Sequence, residues 1–218
     1  MKWRFEKKFD IRQLERYQVE QVVKNHPHCF SEIYHPRWIN SIYFDTFDLQ
    51  NYQENIMGIG HRTKYRLRWY GDVDVHIAVE KPTLEKKIKN GLIGVKEKTS
   101  IADLKVSHHL ESIMSSGVSD KIKNDLQYLK PKVLVKYYRS YFQSFDKKFI
   151  LTVDTDIKFA DFHNGMTGKL WSLNQSVLEL KYDHDVDCPK NFGRYLPFRQ
   201  SRFSKYVKGI DFLREYGL

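Results

Sequence analysis

Charged and apolar side chains alternate along much of this chain, and a period of two predicts β-strands. His61 to Tyr70 is the clearest case: Lys64, Arg66 and Arg68 share one face, and Tyr65, Leu67 and Trp69 the other. The chain opens in the same way, with Arg4, Glu6 and Lys8 against Phe5, Lys7 and Phe9. Asn40 to Asp45 sets Ile42 and Phe44 opposite Ser41, Tyr43 and Asp45. A turn at Gly71-Asp72 leads to a strand around Val75 to Val79, and beyond Pro82 the stretch Leu84 to Lys89 places Glu85, Lys87 and Lys89 together. Asn90-Gly91 predicts a tight hairpin whose return strand carries Lys96 and Lys98. Lys132 to Gln143 is the longest strand candidate, with Val133, Val135, Tyr137, Arg139 and Tyr141 on one face. Phe149 to Ile157 follows with Thr152, Asp154 and Asp156 on one side; a glycine-containing loop, Asn164 to Gly168, leads to Lys169–Trp171; Val177 to Tyr182 opposes Leu178 and Leu180 to Glu179 and Lys181.

Helical spacing is confined to the two ends and the middle. Asp10 with Gln13 predicts a capping box ahead of Ile11, Leu14, Tyr17 and Val22. Asp48 to Asn55 fits one or two helical turns. Two amphipathic helices are expected after the hairpin, one on Ile101, Leu104 and Ile113, the other on Ile122, Leu126 and Leu129; His108-His109 in the first reads as surface. Ser204 can cap a terminal helix on Val207, Ile210 and Leu213. No repeat, low-complexity tract or linker interrupts the 218 residues, so one α+β domain over residues 1–218 is expected.

Composition then narrows the chemistry. A net charge of +10 implies an anionic partner, and the basic residues lie within strands instead of a tail. Two cysteines without CxxC spacing, no run of 18 apolar residues and a charged start point to a reducing, cytoplasmic setting without a signal peptide. GxSxG, Walker A and GxGxxG elements are all missing, which removes α/β-hydrolase, P-loop and Rossmann chemistry.

In a flat sheet these charged faces would be solvated, with Glu6, Glu85 and Glu179 as ordinary cross-strand partners of lysines. In a sheet closed into an antiparallel β-barrel with flanking helices, the same faces would converge. Cations roughly 7 Å apart on one strand repel where water is restricted, and a bound polyphosphate would compensate them. Carboxylates among them suit a hard divalent metal.

Seven motifs in order carry a resemblance: Asn40-Ser41-Ile42-Tyr43-Phe44-Asp45, Arg66-Leu67-Arg68-Trp69-Tyr70-Gly71, Leu84-Glu85-Lys86-Lys87, Tyr138-Arg139-Ser140, Thr152-Val153-Asp154-Thr155-Asp156, Val177-Leu178-Glu179-Leu180-Lys181 and Arg202-Phe203-Ser204-Lys205-Tyr206. From about Arg4 to Gly209 the chain resembles the VTC domain, the polyphosphate polymerases of the triphosphate tunnel metalloenzyme superfamily, beside the CYTH phosphatases. The resemblance implies a closed triphosphate tunnel that takes ATP and polyphosphate, with no specific nucleic acid as partner. It makes Lys8, Arg66, Arg68, Lys87, Arg139 and Lys205 the catalytic cations and adds Lys181, Arg202 and either Lys96 or Lys98 as substrate contacts. Glu179 becomes the ligand of Mn2+ or Mg2+. A tripolyphosphate or nucleoside triphosphate hydrolase and a non-catalytic polyphosphate-binding subunit are the alternatives. Two departures stand out. The Glu-x-Glu-x-Lys start of CYTH triphosphatases is here Arg4, Glu6 and Lys8, which favours the polymerase branch, and Arg202 replaces a frequent lysine. Family polymerases work beside membrane-embedded partners, so such a partner is part of the expectation.

Overall fold

The computed structural model describes residues 2–11, 14–72, 78–102, 104–105, 118–163 and 166–216. Its strands are β1 (Arg4–Ile11), β2 (Ser31–Asp45), β3 (His61–Tyr70), β4 (Ala78–Val79), β5 (Thr83–Asn90), β6 (Ile93–Ser100), β7 (Leu104–Lys105), β8 (Lys130–Gln143), β9 (Phe149–His163), β10 (Met166–Thr167), β11 (Trp171–Ser172), β12 (Ser176–Asp183) and β13 (Arg199–Ser201). Its α-helices are α1 (Arg16–Lys24), α2 (Gln50–Ile56), α3 (Asp120–Leu126) and α4 (Lys205–Glu215). Eight strands form a hydrogen-bonded ring in the order β1, β6, β5, β3, β2, β8, β9, β12 and back to β1, each neighbour antiparallel. No helix among the described residues is long and apolar enough to cross a membrane.

The alternation read from the sequence separates the two faces of this ring. Outward-facing Ile42, Phe44, Tyr65, Leu67, Trp69, Leu84 and Leu134 form one core, which α3 covers with Leu126. Outward-facing Phe9, Ile11, Phe142, Leu151, Val153, Leu178 and Leu180 form a second, covered by Val19 and Val23 of α1. A third core lies on the inner face at one end. There Val133, Val135, Tyr137 and Phe159 meet Phe203, Tyr206, Ile210 and Leu213, so α4 closes that end of the ring instead of flanking it. Gly209 permits the approach: a Cβ at this position would stand 2.9 Å from Val133 Cγ2 and 3.0 Å from Phe159 Cδ1.

Several sequence expectations are corrected here. β1 continues through Asp10 to Ile11, and the capping box forms later, with Glu15 N–H donating to Gln18 Oε1 (2.8 Å) ahead of α1. β2 begins nine residues before Asn40, at Ser31; this first half is mostly exposed and bulged against β8, so it lacks a regular alternation. Asp156 does not join Thr152 and Asp154. It takes a left-handed φ of 50°, the register against β8 slips between Lys136 and Tyr138, and Ile157 and Phe159 take over the inner face while Asp156 is exposed. Leu104, expected in a helix, belongs to β7; the rest of that helix around Ile113, with His108-His109, lies outside the described residues. So do Val75 of the expected Val75–Val79 strand, of which Ala78–Val79 forms β4, and Asn164 in the glycine loop. The Asn90-Gly91 hairpin joins β5 to β6, with Gly91 at φ 57°.

Candidate functional site

The inner face away from α4 is built from ion pairs. Glu85, 2% exposed, takes the Arg66 Nε on Oε2 at 2.6 Å and the Lys96 ammonium on Oε1 at 3.3 Å, with Arg68 Nη1 3.6 Å from Oε2. Each guanidinium is also fixed by hydroxyls. Arg66 donates to Tyr43 Oη (2.9 Å), and Arg68 donates to Ser41 Oγ (3.2 Å) and Tyr137 Oη (2.9 Å). Across the ring Glu179 lies 3.0 Å from Lys181 Nζ, 3.7 Å from Arg139 Nη2 and 3.9 Å from Lys8 Nζ. Glu6 pairs with Lys87. Fully buried Asp154 accepts from Arg139 (Nη2 to Oδ2, 2.7 Å) and from Lys205. Lys8, Arg66, Arg68, Lys87, Lys96, Arg139, Lys181 and Lys205 thus pair with four carboxylates, Glu6, Glu85, Asp154 and Glu179, and Lys64 lies beside Lys8 and Lys87.

Helix α4 delivers one of these cations. Lys8 Nζ donates to the Phe203 carbonyl (2.6 Å) and Lys64 Nζ to Ser204 Oγ (3.1 Å), which ties the segment entering α4 to β1 and β3. Lys205 stands 4.6 Å above the Tyr137 ring, and the next residue, Tyr206, stacks on Tyr43 with centroids 5.4 Å apart. The Tyr206 hydroxyl donates to buried Asp45, which also accepts from the backbone N–H groups of Thr46 (2.8 Å), Asn51 (2.8 Å) and Tyr52 (3.0 Å) and from the Thr46 hydroxyl (3.5 Å). Asp45 therefore anchors α4 and the start of α2 together.

The surplus of positive charge perturbs the lysines. Burial, then Arg66 and Arg68, pushes Lys96 down to about 6 against the opposing pull of Glu85. Burial lowers Lys8 to about 8 although Glu179 opposes it. Lys64 falls well below the lysine range through burial, Lys8 and Arg62. The carboxylates move the other way: burial would raise them, but Lys87 and Lys181 hold Glu6 at about 2, and Arg66 and Arg68 keep Glu85 well below its usual range. Burial is the first cause in Lys8, Lys64, Lys96 and Lys181, which all fall below the lysine range, whereas Glu6 raises Lys87 against burial; added negative charge would favour the charged form of the lowered four.

Lys8, Arg66, Arg68, Lys87, Lys96, Arg139, Glu179, Lys181 and Lys205 are brought together as the sequence predicted. Lys98, the register partner of Glu85 on β6, and Arg202 are both exposed, and Arg202 lies by Gly58, with its Nη1 3.8 Å from that residue's Cβ position, and near Arg62. Lys64, which the alternation placed on the face of Arg66 and Arg68 without a role, reaches Ser204 with its ammonium. Neither Glu85, a cross-strand partner of lysines if the sheet were flat, nor Asp154, placed on one side of its strand with Thr152, received a site role from the sequence. The available signal was that each shares a face with the cations of its own or the adjoining strand.

A divalent cation fits only one mode here. Among the described residues no three His, Cys, Asp or Glu side chains form a metal cage. Glu179, however, has the buried Thr152 directly across from it on β9, and Thr152 Oγ1 has no hydrogen-bond partner. One carboxylate with an unsatisfied hydroxyl beside it matches Mg2+ or Mn2+ bound by few protein oxygens and completed by phosphate oxygens.

The VTC domain family matches residues 4–214. No curated protein matches the chain. Among solved structures, the conserved hypothetical protein Pfu-838710-001 from Pyrococcus furiosus superposes with a TM-score of 0.52 at 11% identity, covering 94% of this chain and 99% of its own. The PH1819 protein from Pyrococcus horikoshii OT3 gives 0.51 at 11% identity, with coverages of 95% and 98%. HpAC1 from Hippeastrum, described as having a dominant triphosphatase activity, gives 0.45 at 12% identity, with coverages of 100% and 88%. The two Pyrococcus likenesses, at these identities, speak to the fold alone.

Proposed function

Because the chain belongs to the VTC domain family, we propose that it is a polyphosphate polymerase that transfers the γ-phosphate of ATP to a growing chain within the ring. The observation that carries this reading is the gathering, among the described residues, of eight cations around four carboxylates on the inner face. In the proposed step a terminal phosphate oxygen of the acceptor attacks the γ-phosphorus, and the bond from that phosphorus to the β–γ bridging oxygen breaks. ADP leaves, and the acceptor is one phosphate longer. The attacking oxygen already carries charge, so no protein base or nucleophile is required.

The chain's own work is positioning and neutralisation. Arg66 and Arg68, locked by Glu85, Tyr43, Ser41 and Tyr137, present planar donors that need no reorganisation. Arg139 and Lys205, held by Asp154, face them from β8 and α4. Lys8, Lys87 and Lys181 surround Glu179 and Glu6, and Lys96 adds charge once an anion is bound. Mn2+ or Mg2+ held by Glu179 would supply charge neutralisation between neighbouring phosphates. Arg4, standing where a second carboxylate would assist hydrolysis, pairs instead with Asp183 at 2.8 Å.

Incubating the purified protein with ATP and Mn2+ is expected to yield long-chain polyphosphate on a gel, and Arg139→Ala to abolish it. Rapid phosphate release from tripolyphosphate without chain products would reassign the site to hydrolysis.

A further inference from the structure

We propose that the mouth of the ring at the Tyr70 end is a platform for the base of a nucleoside triphosphate whose phosphates lie among the inner cations, an inference that rests on the triphosphate reading above. Two strands change character at this mouth. On β3 the inner series Lys64, Arg66 and Arg68 continues to Tyr70, and on β8 the series Tyr137 and Arg139 continues to Tyr141. β2 adds Arg37 and Tyr34, the register partners of Arg139 and Tyr141. The Arg37 guanidinium stands over three rings, 4.3 Å from the centroid of Tyr70, 5.2 Å from Tyr141 and 5.6 Å from Tyr34. Tyr141 is shared with Arg139, 5.9 Å away, and meets Tyr34 edge-on at 5.6 Å. A continuous path of rings and guanidinium planes therefore leads from a buried cation of the site to its rim. Tyr34 and Tyr70 remain 57% and 44% exposed, so these rings keep open surface beside the cation.

Nucleobases stack on aromatic rings and on guanidinium planes with little regard to their hydrogen-bonding edges. Such a platform favours purines, which offer the larger face, and does nothing for a bare polyphosphate. The rim would thus distinguish the donor, a nucleoside triphosphate, from the polymer made from it.

The test compares a non-hydrolysable ATP analogue with tripolyphosphate by isothermal titration calorimetry. Replacing both exposed rings (Tyr34→Ala with Tyr70→Ala) is expected to weaken the analogue about tenfold, as lost base stacking does. Tripolyphosphate should stay within about twofold, and the double phenylalanine variant should bind both ligands as the unaltered protein does. Parallel loss of both ligands, or no loss of either, overturns the platform. In the unaltered protein the analogues should rank purine above pyrimidine; equal affinity overturns it without recourse to any variant. Loss confined to the ATP analogue, in a protein that makes no polymer, would sink the polymerase reading and sustain the platform. Absence of binding by either ligand to the unaltered protein would overturn both.

Discussion

Lys96 lies on β6 beside Arg66 and Arg68; burial and then these arginines push its ammonium down to about 6 against the pull of Glu85. The unfolded chain keeps that proton up to the ordinary lysine range. From roughly pH 6 to pH 10 the unfolded state therefore holds more protons at this position, and the empty protein gains stability from this group as pH rises. A bound polyanion reverses the preference by favouring the charged lysine. Titration with tripolyphosphate at pH 8, in two buffers of different ionisation enthalpy, should report more than about one proton taken up beyond the ligand's own, because Lys8 and Lys64 are lowered as well as Lys96. Affinity should weaken as pH rises. Lys96→Arg, charged throughout that range, should keep binding and lower the uptake by about one proton; an unchanged uptake in that variant would remove Lys96 from the ligand's surroundings.

At the level of the elements, α4 is held by an unusual economy of contact. Gly209 costs the helix about 1 kcal/mol of propensity relative to alanine, yet its missing Cβ lets the helix lie against Val133 and Phe159. Gly209→Ala should lower stability by about 1–3 kcal/mol, because two branched or aromatic side chains on adjoining strands must yield. It should also weaken tripolyphosphate binding, since Lys205 lies one turn earlier on the same helix. Urea unfolding and calorimetry together check this; a stabilised variant with unaltered affinity would show that α4 does not set the position of Lys205. This helix was legible from Ser204 and the spacing of Val207, Ile210 and Leu213, as β3 and β12 were from strict alternation. What alternation cannot express is a change of phase, so the bulge at Asp156 and the irregular first half of β2 escaped it. Nor does one strand's pattern name a partner across the ring. Arg139 was legible as a charge on an apolar face, and Asp154 is its register partner on the next strand, but the link through that carboxylate to Lys205 of a distant helix depends on where α4 packs.

For the whole molecule, the eight-stranded closure limits which polyanion the charge of +10 can serve. A closed sheet of about eight strands leaves an interior wide enough for side chains or one small ligand, and here α4 occupies one end of it. An interior of that class has room for a single phosphate chain at most, whereas a B-form duplex, with a major groove alone about 12 Å across, can meet only the outer surface. The two kinds of anion should then differ in their response to salt. Duplex DNA, bound by exposed lysines, should lose affinity steeply between 50 and 200 mM salt, by a factor on the order of 10³ if about six phosphates are contacted. Tripolyphosphate meets partly buried cations that salt screens less, so its affinity should fall by much less over the same interval. The ligands should also bind independently, with saturating tripolyphosphate leaving residual DNA binding at low salt unchanged. Fluorescence anisotropy of a labelled duplex, titrated with tripolyphosphate at fixed ionic strength, measures this directly. Mutual displacement would mean that the inner cations are reached from the surface, and the single-chain bore would have to be abandoned.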